Sequence, residues 1–167
     1  MKPDNSTGNL TVGSPYEPGL EAAALLGVLC SILLLSLFWT RLPDTIPSHF
    51  NWSGAPDDWS PKAMILIFPV IALIFYLGLT IALQFPQHFN YPWPITEQNA
   101  SAQYRLACSL LSWLKVEVIW LFVYMEWMAI WVALERGRGL SPAFAPIVLV
   151  VIFGTIAIYF YQAYRAR

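Results

Sequence analysis

Two histidines in similar segments are the first candidates for chemistry in this chain. His49 lies in "IPSHFNW" and His88 lies in "FPQHFNY", so the pattern Pro-x-His-Phe-Asn-aromatic occurs twice. Together with Asp57 or Asp58, two imidazoles would supply the nitrogen and oxygen ligands that a transition metal accepts. Whether the two histidines can meet depends on the elements that lie between them.

Three ionisable residues within an apolar stretch are the second set of candidates. Lys115, Glu117 and Glu126 lie in "SWLKVEVIWLFVYMEWMAIWVALE". A charged side chain at the centre of a bilayer costs about 2.5–3.5 kcal/mol on insertion scales, so such residues normally face protein or water. One hypothesis is a proton or cation relay through Glu117 or Glu126. The others are an aromatic groove for a lipid-like ligand and plain packing of the tryptophans.

Charge and aromatic side chains divide between two faces if this stretch is a helix. A step of 100° per residue puts Glu117 on an aromatic stripe and Lys115 with Glu126 on roughly the opposite side. We therefore expect this helix to be central in a bundle, or to have one face covered by another subunit. We also expect Lys115 to snorkel to an interface and Glu117 to accept a tryptophan N–H. The intramembrane polar and aromatic candidates are Lys115, Glu117, Trp120, Tyr124, Glu126 and Trp127.

The composition indicates a membrane protein. Hydrophobic residues make up 57% of the 167 and charged residues only 11%, against about 25% charged in soluble domains. Apolar windows of about 20 residues match the length that a helix needs to cross hydrocarbon. We predict an all-α integral membrane protein with a polar N-terminal tail at 1–19 and a four-helix bundle at 20–167. The predicted spans are about 20–40, 63–84, 110–134 and 142–164.

This topology limits the chemistry that the candidates can do. A span at 63–84 crosses about 30 Å of hydrocarbon and puts His49 and His88 on opposite faces of the membrane, where they cannot share a metal. The chain shows no Gly-rich phosphate loop, zinc cluster or nucleophile elbow. A net charge of −1 without a basic run offers nothing to nucleic acid. We therefore predict no catalytic residue, no metal and no cofactor.

The segments that connect the spans carry their own signals. Residues 41–62 form a Pro-rich loop, because its prolines exclude a continuous helix. Gly54 permits a tight turn there, and tryptophans suit the headgroup layer, so the loop should lie against the membrane surface. Residues 85–109 comprise a second loop and an extension of the third helix. With Thr96 as N-cap and no breaker before Gly137, that helix should have about 40 residues and span about 60 Å.

A family resemblance rests on the first loop. The string "LPDTIPSHFNWSGAPDDWSPK", residues 42–62, resembles the signature of small bacterial and archaeal membrane proteins grouped as domain of unknown function 1648. The same element opens immunity proteins of the SdpI type, which protect a cell from its own secreted toxic peptide. The resemblance continues through residues 89–107. It implies a multi-pass protein of the cytoplasmic membrane of a prokaryote.

Two classes of function follow from these observations. The first is a non-catalytic membrane protein that acts through protein or peptide contacts, as an SdpI-like immunity or signalling protein or as an accessory subunit. Its partners would be the lipid bilayer and other membrane chains or further copies of itself. The alternative is a small transporter or metal-dependent enzyme that uses Glu117 and Glu126, or His49 and Asp57. The predicted binding residues of the loop are His49, Asn51, Gly54, Asp57 and Lys62.

Overall fold

Four long apolar helices make up most of residues 17–167, the part of the chain that the computed structural model describes. Each is long and apolar enough to cross a membrane. The prediction of a mainly α-helical protein with four spans is therefore confirmed, while residues 1–16 of the predicted tail lie outside the described part. The helices are α1 (Pro18–Phe38), α2 (Ile67–Ala82, after a 3-10 turn at Lys62–Leu66), α3 (Ala100–Ala133) and α4 (Phe144–Arg165).

The third helix is the centre of the bundle. α3 packs against α1, α2 and α4, so the prediction of a central position for the helix with charge on both faces is correct. One core cluster joins Ala24 of α1, Ala72 of α2 and Ile119 of α3. Lipid tails are as apolar as these side chains, so helices in a membrane associate through close packing, which small residues permit.

Gly27 sets the closest approach between α1 and α3. A Cβ at this position would lie 2.6 Å from Cγ2 of Ile119, a fully buried side chain with no room to move. In α2, by contrast, a Cβ at Gly78 would meet no atom within 4 Å.

We expect Gly27→Ala to destabilise the protein by about 1–3 kcal/mol, the usual cost of overpacking a core. The matched variant Gly78→Ala should be neutral, or stabilising by up to about 1 kcal/mol, because alanine is the better helix former. Thermal unfolding in detergent, followed by circular dichroism, compares the two. Equal midpoints for both variants would contradict the close α1–α3 contact.

The Pro-rich loop folds as an antiparallel hairpin of β1 (Thr45–Phe50) and β2 (Pro56–Pro61). This small sheet departs from the all-α expectation. The prolines are compatible with it because both strands are edge strands, in which proline is tolerated where its nitrogen faces away from the partner strand. The base of the hairpin is buried, with Ile46 packed in one cluster with Ile65 and with Ile130 near the end of α3.

The tip of the hairpin is joined to the α3–α4 connection through two glycines. The Leu140 N–H donates to the Gly54 carbonyl at 2.8 Å. Gly54 has φ of 82° and Gly139 has φ of 134°, and a Cβ on either would overlap the backbone across the contact. The predicted turn at Gly54 is thus present, and it also serves as a docking point.

The opposite end of the bundle holds the second loop. The Tyr91 hydroxyl donates to the Pro86 carbonyl at 2.8 Å, and burial raises the pKa of Tyr91 well above its usual value. α3 begins at Ala100 and not directly after Thr96, since a separate turn precedes it in which Thr96 and Asn99 bond each other. With 34 residues, α3 spans about 51 Å, which is shorter than predicted.

Candidate functional site

The two histidine segments lie at opposite ends of the bundle. His49 lies on β1, which packs against the C-terminal part of α3. His88 ends a 3-10 turn, Pro86–His88, on the side where α3 begins. The length of α3 separates the two imidazoles, as the predicted topology requires. Any chemistry at His49 must therefore use residues of the hairpin.

A histidine and an aspartate form an exposed pair on the hairpin. His49 Nδ1 lies 2.5 Å from Asp57 Oδ1, and both side chains are exposed, by 66% and 43%. Ser48 donates to Asp58 Oδ2 at 3.2 Å, so the second aspartate points to another partner. Within residues 17–167 no cluster of three or more His, Cys, Asp or Glu side chains is present. The pair alone offers a metal two protein ligands, fewer than the three or four of a typical zinc site.

A cleft lies beneath the hairpin, between the hairpin, α3 and the start of α4. Its volume is about 410 Å³, within the range of small-molecule and side-chain pockets. His49 and Asn51 line its hairpin rim, and Met125 of α3 and Phe144 of α4 line its other walls. Trp52 lies at the same rim and is 89% exposed. The cleft thus combines apolar walls with a polar rim.

The other predicted residues of the loop have structural contacts. Asn51 Oδ1 accepts the Ser53 N–H at 2.9 Å and the Ala55 N–H at 3.2 Å, which organises the turn. Gly54 docks the tip, as described above. Lys62 Nζ lies 5.3 Å from the centre of the Trp39 ring. Of the five, His49 and Asp57 therefore form the pair of side chains that is exposed on the hairpin.

Lys115 does not snorkel, which corrects the prediction from sequence. Its side chain is fully buried, and Nζ forms an ion pair with Glu21 of α1. It also donates to Thr80 Oγ1 of α2 at 3.1 Å and lies 5.3 Å from the Tyr76 ring centre. Glu21 was not among the predicted residues, because an acidic residue in the first turn of a spanning helix is normally expected to lie in solvent. In the structure Glu21 pairs with Lys115, and together with Thr80 this pair links α1, α2 and α3.

Glu126 is the second buried ionisable residue of α3. Its side chain is fully buried, and Oε2 accepts a hydrogen bond from the Ser31 hydroxyl of α1. Oε1 has no hydrogen-bond partner in the described part of the chain. A buried polar atom without a hydrogen bond is costly. The sequence contained a signal for Ser31, a hydroxyl in the middle of an apolar span.

Glu117 contacts α4 instead of a tryptophan. The Thr155 hydroxyl donates to Glu117 Oε1 at 2.5 Å, and Oε2 is buried without a hydrogen-bond partner among residues 17–167. The Trp120 N–H donates to the Ala23 carbonyl of α1 at 3.0 Å. The prediction that Glu117 accepts a tryptophan N–H is therefore wrong for Trp120, whose N–H goes to Ala23. The close approach of α1 at Gly27 brings a backbone acceptor within reach of the indole.

The three ionisable residues of the apolar stretch of α3 thus make separate contacts, Lys115 and Glu126 with α1 and Glu117 with α4. No hydrogen bond in the described part of the chain joins Glu117 to Glu126, and they stand about 13 Å apart along the helix. Trp120 and Tyr124, both more than a third exposed, line grooves toward α1 and toward α4. Trp127 stacks on Trp131 with ring centres 4.7 Å apart. This arrangement suits binding and packing better than a continuous relay.

Comparison with known proteins places the hairpin in a family. Residues 26–73 match the family model described as Domain of unknown function (DUF1648), a range that covers most of α1, the hairpin and the start of α2. An uncharacterized protein of Archaeoglobus fulgidus is 33% identical over an alignment of 76 positions, which covers 38% of this chain and 42% of the relative. The match thus spans less than half of that relative, and no solved structure matches the chain. The resemblance of the loop to DUF1648 is therefore confirmed for residues 26–73, which match that family model.

Proposed function

We propose that this protein is a non-catalytic, multi-pass membrane protein whose hairpin binds a protein or peptide segment at the membrane surface. The observation that carries the proposal is the rigid presentation of the hairpin. Ile46 is buried at its base and Gly54 is docked on Leu140 at its tip, while His49 and Asp57 face outward. A surface held in place before binding loses less conformational entropy when a partner arrives.

The chemistry of the hairpin indicates what kind of segment it would bind. Residues 45–61 contain Asp57 and Asp58 but no lysine or arginine. The cleft beside them has apolar walls that include Met125 and Phe144. A partner with basic and apolar side chains would complement both features, and charge complementarity would favour its orientation and its rate of association.

An immunity or signalling role of the SdpI type is the first form of this proposal. A secreted toxic peptide is a segment that a cleft of this size could hold by a few side chains. The DUF1648 domain at residues 26–73 supports this form. The archaeal relative supports a prokaryotic cytoplasmic membrane as the location.

An accessory subunit of a larger membrane complex, or a homo-oligomer, is the second form. It is supported by α4, which packs chiefly against α3 and exposes large apolar side chains such as Val150 and Phe153. The two forms differ in the face that the partner covers. The hairpin would be covered in the first form and α4 in the second.

Photo-crosslinking in native membranes tests the proposal. With a photo-reactive residue at Trp52 we expect a discrete protein or peptide adduct, and its yield should fall at least tenfold when Asp57→Lys and Asp58→Lys reverse the local charge. A tenfold loss corresponds to about 1.4 kcal/mol of binding free energy. Glu97→Lys, which makes the charge change of one of these two substitutions at an exposed position of the other loop, is the matched control for each single variant.

A second crosslinking position separates the two forms. Adducts that arise only from Phe153, and that persist in the charge-reversed variants, would identify an accessory subunit. The absence of an adduct from both Trp52 and Phe153 would contradict both forms of the proposal.

A further inference from the structure

A cavity between α3 and α4 is not used by the hairpin. Its volume is about 300 Å³, and it lies on the half of α3 that is remote from the hairpin. It therefore belongs to a different part of the molecule, and what it binds is independent of the function proposed above. The residues that line it include Leu106, Leu110, Trp113, Glu117, Thr155 and Tyr159.

The cavity contains an acid and no base. Glu117 reaches it, with Oε1 bonded to Thr155 and Oε2 buried without a hydrogen-bond partner in the described part of the chain. Among residues 17–167, no lysine or arginine lines it. Lys115, two residues away in sequence, forms an ion pair with Glu21 of α1. The Glu117 carboxyl thus has no cation from the described residues beside it.

A second carboxylate stands near the cavity. Ser109, which lines it, donates to Glu17 Oε1 at 2.7 Å. Glu17 is exposed and directly precedes α1. Both acids on this side of the bundle add a negative potential, which a site enclosed by low-dielectric walls concentrates.

We propose that this cavity binds a small organic cation that carries an apolar group, such as a quaternary ammonium or a protonated amine. The Glu117 carboxylate supplies the opposite charge, and a protonated amine would also donate a hydrogen bond to its free oxygen Oε2. The rings of Trp113 and Tyr159 supply the aromatic faces to which organic cations are attracted. Leu106 and Leu110 cover the hydrocarbon part. The same chemistry describes a free cation and the headgroup of a membrane amphiphile.

Two probes of equal shape test the charge requirement. Benzyltrimethylammonium and neopentylbenzene differ in having nitrogen or carbon at one atom, so they separate charge from size. Equilibrium dialysis against the protein in maltoside micelles measures both, with empty micelles as blank. We expect the protein to retain more of the cation than empty micelles do, and no more of the neutral isostere than empty micelles do. A protein that retains both equally, or neither, overturns the proposal.

Variants locate the binding. Glu117→Gln keeps the shape of the side chain and removes its charge, and we expect at least a tenfold weaker affinity for the cation. Glu97→Gln makes the same change at an exposed position outside the cavity and should bind like the wild type. Unchanged affinity in Glu117→Gln contradicts the site.

A measurement on the wild-type protein covers the case in which Glu117→Gln does not fold. A hydrophobic carbodiimide modifies accessible membrane carboxyls, and peptide mass spectrometry reads each site. Benzyltrimethylammonium should protect Glu117 at least fivefold and leave Glu97 unprotected; no protection of Glu117 overturns the proposal. The analogue with a dodecyl chain in place of one methyl group distinguishes a free cation from a membrane amphiphile. If it binds more tightly than benzyltrimethylammonium and Glu117→Gln removes that binding, the ligand is a membrane amphiphile. If it binds more weakly, the ligand is a free cation.

Discussion

Lys115→Met is expected to destabilise the protein by about 3–5 kcal/mol, the usual cost of removing one partner of a buried ion pair. The Lys115 side chain is fully buried and that of Glu21 is 12% exposed, so the acid left behind cannot reach bulk water. Thr80, which receives a hydrogen bond from Lys115 at 3.1 Å, would lose that donor as well. Reversible unfolding in mixed micelles measures the free energy of unfolding.

Two further variants make this prediction specific. The double variant Glu21→Met/Lys115→Met should recover most of the lost stability, because apolar side chains of similar volume often replace a buried ion pair at little cost. Arg105→Met removes a positive charge from an exposed position of the same helix and should change stability by less than about 0.5 kcal/mol. A double variant less stable than Lys115→Met would show that the pair is not the reason for the loss.

Gly54→Ala is expected to release the hairpin from the α3–α4 connection. The positive φ of 82° costs an alanine about 1–3 kcal/mol, and its Cβ would overlap the Leu140 carbonyl. The hydrogen bond from the Leu140 N–H, 2.8 Å long, contributes about another 1 kcal/mol. The local loss should therefore total about 2–4 kcal/mol by these magnitudes. Hydrogen exchange should accelerate at least tenfold at the Leu140 amide.

A neighbouring variant controls for changes in the turn itself. Ser53→Ala removes the hydroxyl that donates to Asn51 but adds no atom toward Leu140. Exchange at Leu140 should stay within about twofold of the wild type in that variant. Equal exchange in Gly54→Ala and the wild type would mean that the tip is not held at this point. If the hairpin is the recognition surface, Gly54→Ala should also lower the crosslinking yield at Trp52.

These variants bear on separate parts of the molecule. Lys115 and Glu21 hold the bundle together within the membrane, whereas Gly54 holds the hairpin outside the spans. A loss of crosslinking with unchanged bundle stability would assign recognition to the hairpin. The proposal that the Glu117 cavity binds a cation is tested with a different ligand, and neither of these results bears on it.

Part of the fold was accessible from sequence because it depends on local composition. Hydrocarbon offers no hydrogen-bond partner, so runs of about 20 apolar residues must become helices whatever their neighbours are. The charges on both faces of α3 predicted its central place for the same reason. The hairpin was not predicted, because its strands are short and rich in proline. Contacts that are distant in sequence hold it, namely Ile46 on Ile130 and Gly54 on Leu140.

By itself, the sequence determined that this is a four-span membrane protein whose first loop resembles DUF1648 proteins, and that its ionisable residues in the membrane need protein contacts. Only the tertiary structure decided which contacts those are. Lys115 bonds to Glu21, Glu126 to Ser31 and Glu117 to Thr155. The physical reason is that two polar side chains can pair only if they lie at the same depth in the bundle and their helices are rotated so that they face each other. Those two quantities are set by packing between helices, such as that at Gly27, and no single stretch of sequence contains them.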